Sequence, residues 1–573
     1  MDAIPVTTSY LPTIAYSLLA VFITTLIALY YYVETGRAVQ LSKRLPNPPS
    51  LPILGHALLT FGLSPETVLR VALQFHEKYG SVISVYFGTR VIIGLTDPQD
   101  IEIILGSSVH LEKSVEYRYF QPWLGDGLLI TSGDKWRRHR KAIAPTFHMS
   151  ILKTFVPLFY QNSMDLVRRL RNEIGKEFDC HDYLSAVTVD ILTETAMGVR
   201  KEKRQKTGYD YAMAVMKMSD ILHRRHYDFT LRSDIIFKLT KFAKKQKKLL
   251  NIIHTLTDGV IEEKSKDVEE KLKKSQQQKE VQNSKTIESL NVTKNEENDT
   301  NIATKYTKLH YVRDDLDDID ENDIGEKKRL AFLDMMMDLK KNGGQMTDEE
   351  IREEVNTIMF EGHDTTAAGS SFTLCALGNH QDIQARVHEE LDAIFGDSNR
   401  PCTFQDTLEM KYLERVILEA LRLFPPVPLI ARKLNEDVKI ITGDYILPKT
   451  ATVLIAQFAV HRTEKYYPNP TVFNPDNFLP EKMQQRHYYS FIPFSAGPRS
   501  CVGRKYAMLK LKVLLSTILR NYRVTSDVVD KDFVLRADII LKRHDGFKIK
   551  LEPRKPVSYN PEKQQEFNIS VSA

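Results

Sequence analysis

The segment Pro493-Phe494-Ser495-Ala496-Gly497-Pro498-Arg499-Ser500-Cys501-Val502-Gly503 concentrates residue types that could do chemistry, just before a helix predicted to begin near Arg504. A cysteine at a helix N-terminus is favoured as the thiolate when glycines let backbone N–H groups approach its sulfur and an arginine stands nearby. A thiolate is a metal ligand, and a single one suits the axial position of a haem iron, where its electron donation favours O–O cleavage. The chain has only four cysteines, Cys180, Cys375, Cys402 and Cys501, and no C-x-x-C pair. That excludes a disulfide scaffold and a cysteine-rich zinc site, and it fits a reduced, cytosolic chain.

The spacing Phe-x-x-Gly-x-Arg-x-Cys-x-Gly, here Phe494, Gly497, Arg499, Cys501 and Gly503, resembles the signature of the cytochrome P450 superfamily, the haem-thiolate monooxygenases. The resemblance runs from an N-terminal apolar segment to about Arg554. It implies a mainly α fold with a small β subdomain, built around haem b with Cys501 as iron ligand and Phe494 and Gly503 in the loop that carries it. Trp136 and Arg140 form the Trp-x-x-x-Arg pair; four apart on a helix they share a face, and an indole N–H plus a guanidinium suit a haem propionate. Arg432 and Arg499 match the other propionate-binding arginines. Glu419 and Arg422 match the Glu-x-x-Arg ion pair that supports the cysteine loop. Its usual third partner is an arginine, and Phe473-Asn474-Pro475-Asp476-Asn477-Phe478 carries Asn477 there, an amide that adds no charge.

The distal side is expected on a helix through Glu354 to Thr366. Oxygen activation needs protons delivered without loose water, which makes Asp364 and Thr365 the candidate acid–alcohol pair. Gly362 is expected to leave room for dioxygen beside the helix. Glu361 lies four residues before Thr365, hence on the same face, where burial should raise its pKa. Glu-Gly-His-Asp-Thr-Thr resembles family four of the superfamily, in which this glutamate can esterify a haem methyl; otherwise it lines the pocket. The polar insertion, with Asp317 to Asp334 and the Arg499-to-Lys512 stretch, is similar to the insect-specific G subfamily, whose members oxidatively decarbonylate long-chain aldehydes to cuticular hydrocarbons.

These residues need elements to place them. Helical periodicity appears over 151–178, 181–199, 235–263, 329–341, 347–376, 380–395, 406–424 and 503–520; Val82–Gly88 and Val91–Leu95 read as a β-hairpin and Val438–Val453 as further short strands. The motifs span Trp136 to Cys501, so residues 56–560 are expected to form one haem-centred domain, followed by a tail over 561–573. Leu11 to Val33 is 23 residues without a charge, about 34 Å as a helix. It can therefore cross a bilayer core, so residues 1–33 are expected to be an anchor. Arg37, Lys43 and Arg44 follow it and only Asp2 precedes it, which points the remainder to the cytosol. Residues 34–55, with four prolines in Pro46 to Pro52, read as a stiff hinge, and 262–328 as a disordered insertion ending in the acidic block Asp314–Asp323. Asn291 and Asn298 match the glycosylation pattern and are expected to stay unmodified on the cytosolic side.

Composition bounds the function. At 573 residues and 42% hydrophobic, the chain can bury a large core, and a net charge of +5 argues against a nucleic-acid partner. No Walker, G-x-G-x-x-G, H-E-x-x-H or G-x-S-x-G motif occurs, so two electrons must come from another protein. Arg137, Arg138, His139, Lys141, Arg504, Lys505, Lys510 and Lys512 are expected to ring the thiolate face and steer an acidic flavodoxin-like partner. The resemblance implies NADPH–cytochrome P450 reductase at the endoplasmic reticulum membrane. The expectation is a membrane-anchored monooxygenase taking a long-chain aliphatic substrate, with a fatty-acid ω-hydroxylase, a hormone- or xenobiotic-oxidising enzyme and a non-enzymatic membrane adaptor as alternatives.

Overall fold

The structure is a computed structural model that describes residues 11–60, 63–201, 208–228, 230–283, 330–341 and 345–554. Its longest buried helix, α11 (Asp348–Asn379), passes through the core. The N-terminus of α11 is fixed by a capping box: Thr347 Oγ1 accepts from Glu350 N, and the Glu350 carboxylate accepts from Thr347 N. Buried on nearly every side, α11 satisfies its hydroxyls internally; Ser370, Ser371 and Thr373 donate to carbonyls one turn back. Around it pack α5 (Gly133–Ile143), α6 (Met149–Leu170), α7 (Cys180–Thr195), α8 (Gly208–Tyr227), α13 (Lys411–Leu423) and α14 (Arg504–Asn521). Other helices of six or more residues include, in chain order, α1 (Leu11–Glu34), α2 (Arg37–Ser42), α3 (Val68–Tyr79), α4 (Pro98–Leu105), α9 (Lys241–Asn283), α10 (Phe332–Lys341) and α12 (Gln381–Phe395), and shorter helical turns lie between them.

The β part is small. Strands β1 (Val82–Phe87) and β2 (Arg90–Leu95) form the expected hairpin, with Val82 opposite Leu95. β2 then runs parallel to β7 (Thr452–Ile455), whose other edge pairs antiparallel with β4 (Ile430–Lys433). Between them in sequence lie β3 (Phe178–Asp179), β5 (Val438–Lys439) and β6 (Ile446–Leu447). β8 (Tyr522–Thr525), β9 (Leu535–Ala537), β10 (Leu541–Arg543) and β11 (Lys548–Pro553) are the last strands among the described residues. The four-stranded sheet has its own core of Val82, Tyr86, Val91, Ile93, Leu95, Val453 and Ile455, beside the larger helical core.

Two expectations change. The 34–55 segment does not stand off as a spacer. Val39 and Leu45 are buried in the sheet's core, the Ser42 and Ser84 hydroxyls lie 2.6 Å apart, and Arg37 pairs with Asp437. His56 Nδ1 accepts from Tyr86 N at 3.0 Å. Apolar residues between the charges and prolines give this segment something to bury. The second change is that the polar insertion begins as helix: α9 continues through Asn283, sustained by i,i+4 pairs Glu262–Lys266 (2.8 Å) and Glu270–Lys274 (2.7 Å). The acidic block, Asn291, Asn298 and the 561–573 tail lie outside the described residues. Among the described residues, the exposed helical segment Thr13–Glu34 is long and apolar enough to cross a membrane.

Candidate active site

The cysteine loop is built by backbone conformation. Gly497 has φ +68°, and a Cβ there would meet Leu105 O at 2.0 Å, so only glycine lets the loop lie against α4. Cys501 N donates to Phe494 O at 2.9 Å, closing the turn, and a Cβ on Gly503 would stand 4.0 Å from the Cys501 sulfur. Arg140 on α5 braces the loop from outside, donating Nη1 to Ser500 O at 2.9 Å. Burial pushes the Cys501 thiol up to about 11, with the Glu361 charge adding to it, and the Gly503 N–H, Arg140 and Arg504 do not offset them. The loop alone does not hold the anion at neutral pH; an iron counter-charge would.

Above the loop lies a cavity of about 550 Å³. Trp136, Arg140, Glu361, Thr365, Phe494, Arg499, Cys501 and Gly503 all line it, together with apolar residues such as Phe120, Leu192, Phe360 and Leu421. Arg432 and Asp364 do not line it. Arg432 is 1% exposed and its Nη2 has no partner, nor has Nε of Arg499. Arg499 stacks on Trp136, 4.4 Å from the ring centre, and donates to Leu128 O and Thr131 O. Lys113, absent from the sequence reading, joins this group. It bridges β4 at Arg432, and its ammonium is driven well below its usual value by burial and by Arg432 and Arg499. Burial, then Arg432, likewise brings Arg499 down to about 9. Four cations share this region with one carboxyl, Glu361, and two guanidinium nitrogens are orphaned. Buried cations in this number call for anions. Haem carries two propionates, so the residues fit it, with Cys501 lining the same cavity.

On the distal wall, Thr365 Oγ1 donates to Glu361 O at 2.8 Å. Burial raises the Glu361 carboxyl to about 7, against the opposing pull of Lys113. Asp364 turns the other way, 1% exposed, with its carboxylate 3.0 Å from Lys542 Nζ on β10. Burial would raise Asp364, yet Lys542, His363 and His181 outweigh it and hold it below the usual carboxylate range. The acid and the alcohol are therefore adjacent in sequence but face different sides of α11. Gly362 also differs from expectation: a Cβ there would meet Leu192 at 2.8 Å, so its missing side chain admits α7.

The support network keeps its shape without the third arginine. Glu419 and Arg422, both 0% exposed, meet bidentately at 2.7 Å, and Asn474 N and Asn477 Nδ2 donate to Glu419 Oε1 at 2.7 and 3.1 Å. Asn477 thus supplies the hydrogen bond, though not the charge. Three of the cations expected on the partner-facing surface are interior. His139 is 1% exposed with Nδ1 2.6 Å from Glu354 Oε1, Lys512 donates to Thr407 O and pairs with Glu414, and Lys510 donates to Gly362 O at 2.7 Å. Arg137, Arg138 and Lys141 remain exposed beside Trp136. Spacing alone did not separate these two sets, because α5 buries one face whereas α14 is buried all round from Leu509 to Leu519.

The cytochrome P450 family profile matches residues 45–551. Cytochrome P450 4g15 of Drosophila melanogaster is 53% identical over 551 residues, covering 92% of this chain and 96% of its own length. Cytochrome P450 4g1 of the same organism is 53% identical over 531 residues, 92% of each chain. Cytochrome P450 4V2 of Homo sapiens is 36% identical over 507 residues, 88% of each.

Proposed function

The chain belongs to the cytochrome P450 family, as a family-four monooxygenase that binds haem through a cysteine thiolate, and we propose that it oxidatively decarbonylates long-chain aliphatic aldehydes. The overall change balances as aldehyde plus dioxygen, two electrons and two protons giving the hydrocarbon one carbon shorter, carbon dioxide and water. The observation that carries the reading is the apolar cavity opening on Cys501 and Thr365, which suits an aliphatic chain, taken with the likeness to the G-subfamily relatives. When bound, haem with an axial thiolate supplies activation of dioxygen.

The chain's own groups do the rest. Cys501 is the iron ligand. Trp136, Arg140, Arg432, Arg499 and Lys113 would hold the propionates and so orient the ring. Phe120, Phe360 and Leu192 exclude water from the substrate's path. Thr365 holds a proton on Oγ1 at the cavity wall, and Asp364, paired with Lys542, is the acid behind it. Glu361 is placed at the cavity to esterify the haem. Electrons come from NADPH through a cytochrome P450 reductase docking on the exposed Arg137, Arg138 and Lys141. The N-terminal helix anchors the protein in the endoplasmic reticulum membrane with residues 56–554 in the cytosol.

The test is to supply the protein, reconstituted with reductase, NADPH and dioxygen, with a long-chain aldehyde. An n−1 hydrocarbon with carbon dioxide is the expected product; an ω-hydroxyaldehyde with all carbons retained overturns the reading.

A further inference from the structure

Among the described residues four lysines are buried: Lys264, Lys510, Lys512 and Lys542. Three of them have a carboxylate. Lys264 pairs with Asp334 and Lys512 with Glu414, each at 2.8 Å, and Lys542 with Asp364 at 3.0 Å. Lys510, 0% exposed, has none among the described residues. Its Nζ donates to Gly362 O at 2.7 Å and stands 5.0 Å from the centre of the Tyr506 ring. A buried ammonium without a counter-charge is costly, and a methionine would fill much the same space without that cost.

Lys510 lies on α14, the helix that begins just after the Cys501 loop, and reaches the turn of α11 between Glu361 and Thr365. Gly362 and Tyr506 line the cavity and Lys510 does not, so it holds that turn from outside the cavity. Gly362 O also accepts from Thr366 Oγ1 at 3.3 Å, while the preceding carbonyl, Glu361 O, takes the Thr365 hydroxyl at 2.8 Å. Hydroxyls bonded back to their own helix bend it locally, and an ammonium's hydrogen bond is about twice as strong as a neutral donor's. The surroundings leave the charge of Lys510 unfixed. From α6, Phe155 and Phe159 pack on Tyr506; from α7, Leu192 lies against Gly362 and the Thr195 hydroxyl is 2.8 Å from Tyr506 Oη. Glu414 on α13 is taken by Lys512, and Asp364 on α11 by Lys542. His363, brought down to about 4 by burial, is neutral. Burial brings the Lys510 ammonium down to about 7, so its charge is present below that pH and lost above it.

We propose that Lys510 is a positioning residue for oxygen activation: as the ammonium it grips the Gly362 carbonyl and fixes the α11 turn that aims the Thr365 hydroxyl, and as the neutral amine it slackens that turn. With the turn slack, protons reach the reacting oxygen less surely and the substrate goes unoxidised. Dioxygen then takes up two electrons and two protons and leaves as hydrogen peroxide, with no bond of the substrate broken. The electrons are those of the same reductase. This inference rests on monooxygenase activity and not on decarbonylation.

The experiment reads hydrogen peroxide released per NADPH oxidised, with the haem-loaded enzyme, reductase and a long-chain aldehyde as probe, on either side of the Lys510 value of about 7. That ratio is defined whatever the product. In the wild type it rises about fivefold from the acid to the alkaline side. Lys510→Met gives the high ratio on both sides, and Lys510→Arg, charged throughout, the low one. Glu361 also titrates at about 7, so the rise is read again in Glu361→Gln, where it persists. Hydrogen exchange of the resting enzyme reads the same turn without turnover: after correction for the intrinsic rate, protection over 359–366 falls with pH in the wild type and is low throughout in Lys510→Met. A wild-type ratio that does not change with pH overturns the proposal even where the variants fail to fold. So does a rise of wild-type size in Lys510→Met, or one that disappears in Glu361→Gln.

Discussion

Four buried ionisable groups lacking ordinary surroundings decide the behaviour of this site. Lys542 and Asp364 hold each other inside the core 3.0 Å apart, so removing one partner strands the other. Lys542→Met is expected to cost about 3–5 kcal/mol in denaturant unfolding, and adding Asp364→Leu to recover most of it. A cost that the second substitution does not relieve would mean the pair is not what holds Asp364. Lys510 is fully buried against Gly362 O, and burial brings its ammonium down to about 7 from 10.5. Between those values the unfolded chain binds more protons than the folded one, so this group makes stability rise with pH across the window. Lys510→Met should therefore flatten the rise in melting temperature between about pH 7 and about pH 10 relative to the wild type. Glu361 is tested by acid extraction of haem after turnover: a fraction stays with the wild-type chain and none with Glu361→Ala. Complete extraction from both would reduce Glu361 to a cavity-lining acid.

Among the elements, α5, α11 and α14 were largely readable because each carries a short motif with the helical period. Trp136 and Arg140, Glu361 and Thr365, and Cys501 at a helix start all fall where the pattern placed them. Helices α3 and α8 were not read, since their polar and aromatic residues blur the apolar stripe. The C-terminal strands β8 to β11 are too short, at three to six residues, to show alternation. Lys113 and Lys542 were missed because no local spacing links them to the site; sheet pairing brings them there, through the Lys113–Arg432 bridge and the β9–β10 hairpin. The docked segment after the anchor gives its own prediction. Removing residues 1–30 should leave the melting temperature nearly unchanged, whereas removing 1–55 exposes the sheet's core and strips His56 Nε2 of the Pro48 carbonyl 2.8 Å away. Val39 and Leu45 alone contribute about 1.5–3 kcal/mol each on burial. Equal melting temperatures would show the segment to be a free spacer after all.

For the molecule as a whole, the small net charge of +5 conceals a local excess of buried cations at Lys113, Arg140, Arg432 and Arg499, which haem propionates would complete. Charge of one sign is tolerated inside a protein when something else completes it. The fold therefore reads as a holder for a dianionic ring, in an apolar cavity lined in part by the cysteine loop. The most direct measurement is the carbon-monoxide difference spectrum of the reduced protein. The account predicts a Soret band at about 450 nm in the wild type, as the family name implies, and its loss in Cys501→Ala. The same band persisting in Cys501→Ala would contradict Cys501 as the iron's ligand.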